Sequence, residues 1–242
     1  MFQHKTAIIT GSTRGIGLAI AKALSALGCQ IVITSRQSTT AGTTAAQQLP
    51  KAIYVQADLT KDKDCQRLID STIKQFGQLD IIVNNAAFSV RIPHHDIAAI
   101  SATLFKKILD HNVVSAWRLC QCALPFLQAS PDASILMISS VAGIRPIGSS
   151  IAYAVSKAAL NHLTLLLAKT LAPGIRVNAI APGFIETERT QDWHDIKQQM
   201  LDKTPLKRSG KPQEIADLAC ALLHNCLITG SIVVADGGFN LA

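Results

Sequence analysis

The chain has 242 residues, which suits one large domain or two small ones. An apolar share of 48%, a charged share of 16% and a mean hydropathy of +0.27 exclude wholesale disorder, while no run approaches the roughly 20 uncharged apolar residues of a membrane span and the N-terminal MFQHKTAIITG has no secretory cleavage pattern. The net charge of +7 comes from scattered Lys and Arg, adjacent only at Lys106-Lys107 and Lys207-Arg208, so it forms no nucleic-acid-binding stripe and fits a mild attraction for acidic molecules.

In chain order, residues 5–10 form a β-rich run, followed by a glycine-rich turn and a helical pattern over 16–27 that Gly28 caps. A strand over 30–35, a helix over 40–49 stopped by Pro50, a strand over 52–56 and an amphipathic helix over 62–76 follow. LDIIVNN supplies the fourth strand. A long helix spans 102–127, a strand 134–139, a long helix 151–172, a strand 175–181 and a helical region 188–202. Pro212 opens a helix reaching 226, and SIVVADGG carries the last strand. The strands are continuous apolar runs, as in a parallel sheet covered by helices on both faces. Short connections and no linker point to a single doubly wound α/β domain over 1–242, with about seven strands.

The six cysteines, Cys29, Cys65, Cys120, Cys122, Cys220 and Cys226, include no CxxC. They read as packing thiols of a reducing, cytoplasmic setting. His94-His95 lacks Cys or carboxylate partners at ligand spacing, so no metal site is expected. His111 and His162 read as packed or surface residues rather than bases, and Trp117 and Trp193 as core or pocket residues.

Gly11-Ser12-Thr13-Arg14-Gly15-Ile16-Gly17 lies between the first strand and the first helix. A helix N-terminus presents free N–H groups and partial positive charge, a site for a pyrophosphate. The spacing is TGxxxGIG rather than GxGxxG, and here the chain resembles the classical short-chain dehydrogenase/reductase family. The resemblance covers nearly the whole chain and implies a Rossmann-like fold and a nicotinamide cofactor. NAD-binding chains place a carboxylate after the second strand to hold the ribose 2′-OH. Here the sequence reads Thr34-Ser35-Arg36, and Arg36 offers a planar donor fork suited to a 2′-phosphate, with Arg14 as a second cation. NADP(H) is therefore the expected cofactor. Asp58-Leu59 resembles the family's adenine contact, and Asn84-Asn85-Ala86-Ala87 its NNAG stretch, with Asn84 and Ala86 beside the cofactor and Ala87 replacing the usual Gly.

Tyr153 and Lys157 are four residues apart on a helical pattern, hence on one face. Free tyrosine titrates near 10, and a neighbouring ammonium favours its ionised form. Ser140 ends the fifth strand, where the carboxyl edge of such a sheet lines a ligand crevice. Asn112, a poor helix-interior residue, sits within a long helical pattern. Together Asn112, Ser140, Tyr153 and Lys157 resemble the family's catalytic set. The resemblance implies that Tyr153 protonates a carbonyl oxygen that Ser140 orients, that Lys157 also holds the nicotinamide ribose, and that Asn112 locally distorts its helix and supports a proton-relay water. Pro182, Gly183, Ile185 and Thr187 resemble the family's PG turn beside the nicotinamide. The filled catalytic set counts against a non-catalytic dinucleotide sensor.

IAPGFIET, KPQEIA and the ITG…DGG ending are most similar to 3-oxoacyl-[acyl-carrier-protein] reductases of fatty acid biosynthesis. The positive net charge suits an acidic acyl carrier protein. Residues 128–133 and 172–174 lack the basic residues such enzymes carry there. The substrate stays open between an acyl-thioester and a small ketone, quinone or pterin-like carbonyl. The helix over 151–172 is apolar on more than one side, and the family's pairing of this helix implies a homotetramer.

Overall fold

The computed structural model describes residues 2–37 and 39–241. Seven parallel strands form one sheet in the order β3-β2-β1-β4-β5-β6-β7. They are β1 (Thr6–Thr10), β2 (Gln30–Ser35), β3 (Ala52–Gln56), β4 (Ile81–Asn84), β5 (Ala133–Ile138), β6 (Ile175–Pro182) and β7 (Ile232–Ala235). The helices are α1 (Gly15–Ala26), α2 (Thr39–Gln47), α3 (Asp62–Phe76), α4 (Ala102–Leu109), α5 (Ser115–Ala129), α6 (Ile151–Leu171), α7 (His194–Lys203) and α8 (Pro212–His224). Thr6 pairs with Gln30 and Ala7 with Ile81, so β1 lies between β2 and β4. The chain runs outward from β1 to β3, then crosses back to β4. This reversal opens a crevice at the carboxyl ends of β1 and β4.

Neighbouring strand residues point to opposite faces, and both faces are covered. Ile8, Val32, Ile82 and Ile135 join Leu68 of α3, Leu119 of α5 and Leu160 of α6 in one layer. Ile9, Ile33, Val83 and Leu136 join Ile20 and Leu24 of α1 and Leu222 of α8 in the other. Burying each such side chain contributes about 1.5–3 kcal/mol. This double burial is why the strands read as unbroken apolar runs.

Helix ends follow local chemistry. Gly77 closes α3 at φ +77, a left-handed conformation that a Cβ disfavours. The Ser150 hydroxyl accepts from the Tyr153 N–H at 3.2 Å and so caps α6 directly ahead of the reaction centre. The Glu214 carboxylate accepts from the Lys211 N–H at 2.8 Å and caps α8. Hydrogen bonds first from Arg208 and then from that N–H pull the Glu214 carboxyl down to about 2. α6 has the length and apolar composition of a membrane-crossing helix, yet its buried Ser156, Lys157, Leu160 and Thr164 pack into the fold.

The helix expected over 102–127 is interrupted. One wider turn, Asp110–Val114, separates α4 from α5 and contains the buried Asn112. The helical region expected over 188–202 begins only at His194, after a run of turns. The excursion after β6 is pinned at its base, where Gly210 N–H donates to Phe184 C=O and Glu186 N–H donates to Gly210 C=O, both at 2.9 Å.

Candidate active site

A cleft runs along the carboxyl edge of the sheet in two connected halves. A cavity of about 460 Å³ lies over the glycine turn, and one of about 580 Å³ lies over β5, β6 and the start of α6. Ile16, Asn85, Ala87, Ser89, Thr187 and Arg189 line both.

The glycine turn is locked to the end of β4. Thr10 Oγ1 accepts from the Asn85 and Ala86 N–H groups at 2.9 and 2.8 Å. Asn85 Nδ2 donates back to the Thr10 and Gly11 carbonyls at 2.8 and 3.1 Å. Gly11 has φ +61. A Cβ at Gly17 would stand 2.5 Å from Asn85 Nδ2 and 2.7 Å from Gly11 C=O. Glycine is therefore required for this backbone to lie so close to β4 and leave a shallow cradle at the start of α1. Gly11, Thr13, Arg14, Gly15 and Ile16 line that cradle. Ser12 stands behind it, its hydroxyl donating to Ile9 C=O at 2.5 Å and accepting from Thr34 N–H at 3.2 Å. The glycine turn at the start of α1 and the two-part cleft fit a dinucleotide.

At the far end of this half lie Arg36, Asp58 and Leu59, with Ala86 nearer the turn. Arg36 Nη1 is 2.7 Å from His111 Nε2, and His111 Nδ1 is 2.9 Å from Lys107 C=O. A guanidinium only donates, so Nε2 accepts and Nδ1 carries the proton donated to Lys107. His111, expected as a packed or surface residue, thus lines the cleft. Burial raises the Asp58 carboxyl, but hydrogen bonds from the Thr60 hydroxyl and N–H, with Arg36 and Lys61 nearby, hold it below the usual carboxylate range.

Asn84 corrects the expectation of a cofactor contact. Its side chain is buried, with Nδ2 3.3 Å from Met137 Sδ and 3.6 Å from Cys120 Sγ, inside the layer beneath α5. Strand alternation decides this, because Asn84 has the parity of Ile82 and not of Val83. Asn85, one residue on, reaches the cleft instead.

In the second half, Ser140, Tyr153 and Lys157 share a wall with Pro182, Gly183, Ile185 and Thr187. Ser140 opens a short turn, its hydroxyl accepting from Ala142 N–H at 3.2 Å. Lys157 is 2% exposed. Its Nζ donates to Ile138 C=O at 2.7 Å and lies 5.7 Å from the Tyr153 ring centre. Burial, helped by the Arg189 charge, brings the Lys157 amine down to about 7. The Tyr153 phenol goes the other way: burial raises it, against the lowering influence of Arg189 and the Ser140 hydroxyl. The sequence suggested an acidified phenol. In the structure burial outweighs the lowering influences on the phenol.

Asn112 lies outside both cavities. Its Oδ1 accepts from Phe88 N–H at 2.7 Å, and its Nδ2 donates to Phe88 C=O at 3.0 Å and to Ser156 Oγ at 2.9 Å. Ser156 in turn donates to Tyr153 C=O at 2.7 Å. Asn112 thus ties the irregular segment after β4, which lines the cleft at Phe88, to α6. Sequence reasoning gave no part to Arg189. Its only signal was a cation two residues beyond Thr187. Burial pushes the Cys29, Cys65 and Cys120 thiols up to about 12, and no cluster of metal-ligating side chains occurs among the described residues.

A family model described as Enoyl-(Acyl carrier protein) reductase matches residues 11–240. "Granaticin polyketide synthase putative ketoacyl reductase 2" of Streptomyces violaceoruber is 41% identical over 238 residues, covering 97% of this chain and 96% of that protein. "Tropinone reductase-like 3" of Erythroxylum coca is 36% identical, covering 98% and 93%. The structure of a short-chain dehydrogenase/reductase of Brucella melitensis, described as a glucose/ribitol dehydrogenase, superposes with a TM-score of 0.93 at 30% identity, covering 100% of this chain and 98% of that one.

Proposed function

The chain belongs to the classical short-chain dehydrogenase/reductase family, and we propose that it reduces a ketone to a secondary alcohol with NADPH. One observation supports this most: a single cleft joins the α1 cradle and Arg36 to Ser140, Tyr153 and Lys157. In this reading Gly11, Ser12, Thr13, Arg14, Gly15, Ile16 and Gly17 form and frame the pyrophosphate seat, and Arg36 takes the 2′-phosphate. Asp58, Leu59 and Ala86 flank the adenosine, while Pro182, Gly183, Ile185 and Thr187 flank the nicotinamide with Tyr153 and Lys157. When bound, the dihydronicotinamide supplies hydride to the carbonyl carbon.

The chain supplies the rest. Ser140 donates a hydrogen bond to the carbonyl oxygen and fixes its position. Tyr153 gives its hydroxyl proton to that oxygen as negative charge gathers there. A phenol held protonated by burial is ready to donate at neutral pH. Lys157 supplies a buried amine one turn from the phenol, suited to passing on a proton. Asn112 is a positioning residue, acting through Phe88 and Ser156.

For the substrate we favour a 3-oxoacyl thioester, presented by an acyl carrier protein as in fatty acid or polyketide assembly. The ketoacyl-reductase relative and the net charge of +7 support it. A small ketone is the second reading, favoured by the tropinone-reductase-like relative and by the apolar Ile147, Phe184, Trp193 and Ile196 around the reaction half. Val155, Leu165 and Leu166 of α6, with Trp117 of α5, are exposed apolar side chains that we assign to the faces of a homotetramer. Loss of NADPH absorbance on adding acetoacetyl thioesters and simple ketones tests the reading. Turnover of the thioesters supports the first substrate class. Inertness toward every carbonyl overturns the reductase assignment.

A further inference from the structure

Arg189 has no part in the chemistry above, yet it stands where the two halves of the cleft meet. Its guanidinium reaches back across the opening, Nη1 donating to Ala87 C=O at 3.4 Å and Nη2 donating to the Ser89 hydroxyl. Both partners are neutral, and the first bond is long. Among the described residues Arg189 forms no ion pair, although Arg91, Arg118, Arg176 and Arg208 each do. A guanidinium has five donors in a planar fork, and its strongest partner is a planar or tetrahedral oxyanion.

The surroundings point the same way. Among the described residues no Asp or Glu lines the reaction half, whereas Arg189 and Lys203 do, and Asp58 and Glu188 line only the other half. The charge of Arg189 is felt at the reaction centre, where it draws both the Tyr153 phenol and the Lys157 amine downward. A cavity with cations and no counter-charge concentrates anions.

We propose that Arg189 is an anion-binding residue at the junction of the two halves, releasing Ala87 and Ser89 to take a carboxylate or phosphate oxygen of a bound molecule. Two molecules can bring such a group to the junction: a carbonyl substrate with a carboxylate near the reducible carbon, or the pyrophosphate of the dinucleotide. The inference rests on the reductase reading only for the identity of those molecules.

The experiment uses Arg189→Met and Arg189→Lys in the full chain. NADPH and pentanoate affinities are measured by calorimetric titration without turnover. Preference is measured as the ratio of kcat/KM for 4-oxopentanoate to that for its methyl ester. A tenfold or greater fall in this ratio, with pentanoate binding weakened alongside, assigns the anion to the substrate. A tenfold or greater loss of NADPH affinity with the ratio unmoved assigns it to the pyrophosphate. Arg189→Lys retains part of either effect. Less than threefold change in NADPH affinity, pentanoate affinity and the ratio overturns the proposal. Should Arg189→Met melt early, Arg189→Gln provides the same readouts. If neither carbonyl compound is reduced, the titrations still decide the role of Arg189, so failure of the reductase reading is separately visible.

Discussion

Asn112 and Phe88 are joined twice, the asparagine oxygen accepting from Phe88 N–H at 2.7 Å and its amide donating to Phe88 C=O at 3.0 Å. This pair of bonds does for the segment after β4 what a neighbouring strand does within the sheet, because the chain has left the sheet by Phe88. Asn112→Ala strands both backbone groups, at about 1–3 kcal/mol for each that is left buried and unsatisfied. The expected outcome is a lower melting temperature with faster amide exchange at Phe88. Exchange at Phe88 as slow as in the parent protein would show that the clamp does not hold this segment.

Tyr153→Phe removes one hydroxyl and keeps the ring against Lys157. General acid catalysis is worth about 10²–10⁴ in rate, so kcat falls by at least roughly two orders of magnitude. NADPH affinity, measured by fluorescence titration, changes little. Substantial remaining turnover would move the proton donor to another group.

Lys157 ties stability to pH. Its amine titrates at about 7 in the folded protein because of burial, then of Arg189, and near 10.4 when unfolded. Between those values the unfolded chain binds the extra proton, so stability rises with pH. The gain attributable to this one group is about 1.4 kcal/mol per pH unit. Denaturant melts of the parent and Lys157→Met at pH 7 and pH 8.5 measure it, with the difference between the two proteins shifting toward the parent at the higher pH. A pH-independent difference would mean that the amine remains charged when folded.

Arg36 is predicted to discriminate between the two nicotinamide cofactors. Hydrogen bonds to a charged group contribute about 1.5–3 kcal/mol, so Arg36→Ala raises the KM for NADPH roughly 10- to 100-fold and moves that for NADH far less. Equal losses with both would assign Arg36 to the shared part of the dinucleotide.

The parts of the fold governed by one local rule were legible in the sequence. β2, β3 and α3 have the expected bounds, because a buried apolar run or an amphipathic stripe ending in Gly77 admits few other readings. The interruption at Asp110–Val114 left no periodic trace, since one wide turn shifts the pattern by a single residue; only the family resemblance at Asn112 implied a distortion there. The late start of α7 was hidden because polar residues serve turns and exposed helices alike. At the site, the glycine turn and the Ser140, Tyr153 and Lys157 wall were foreseen from spacing. Choosing between Asn84 and Asn85 needed the parity of β4. The placement of His111 beside Arg36 and of Arg189 at the junction needed tertiary structure, because the first pair is 75 positions apart in the chain and Arg189 is 102 positions from Ala87.

The stretch between Phe184 and Gly210 leaves and rejoins the body at a neck stitched by two backbone bonds, with a third from Leu206 N–H to Gly237 C=O at 3.1 Å. Backbone bonds are indifferent to side-chain identity, so the loop's interior can be rewritten or transplanted from a relative while the neck holds. Much of the wall that would meet a substrate, including Trp193, Ile196 and Met200, lies inside this exchangeable cassette. New specificities can therefore be grafted onto an unaltered scaffold.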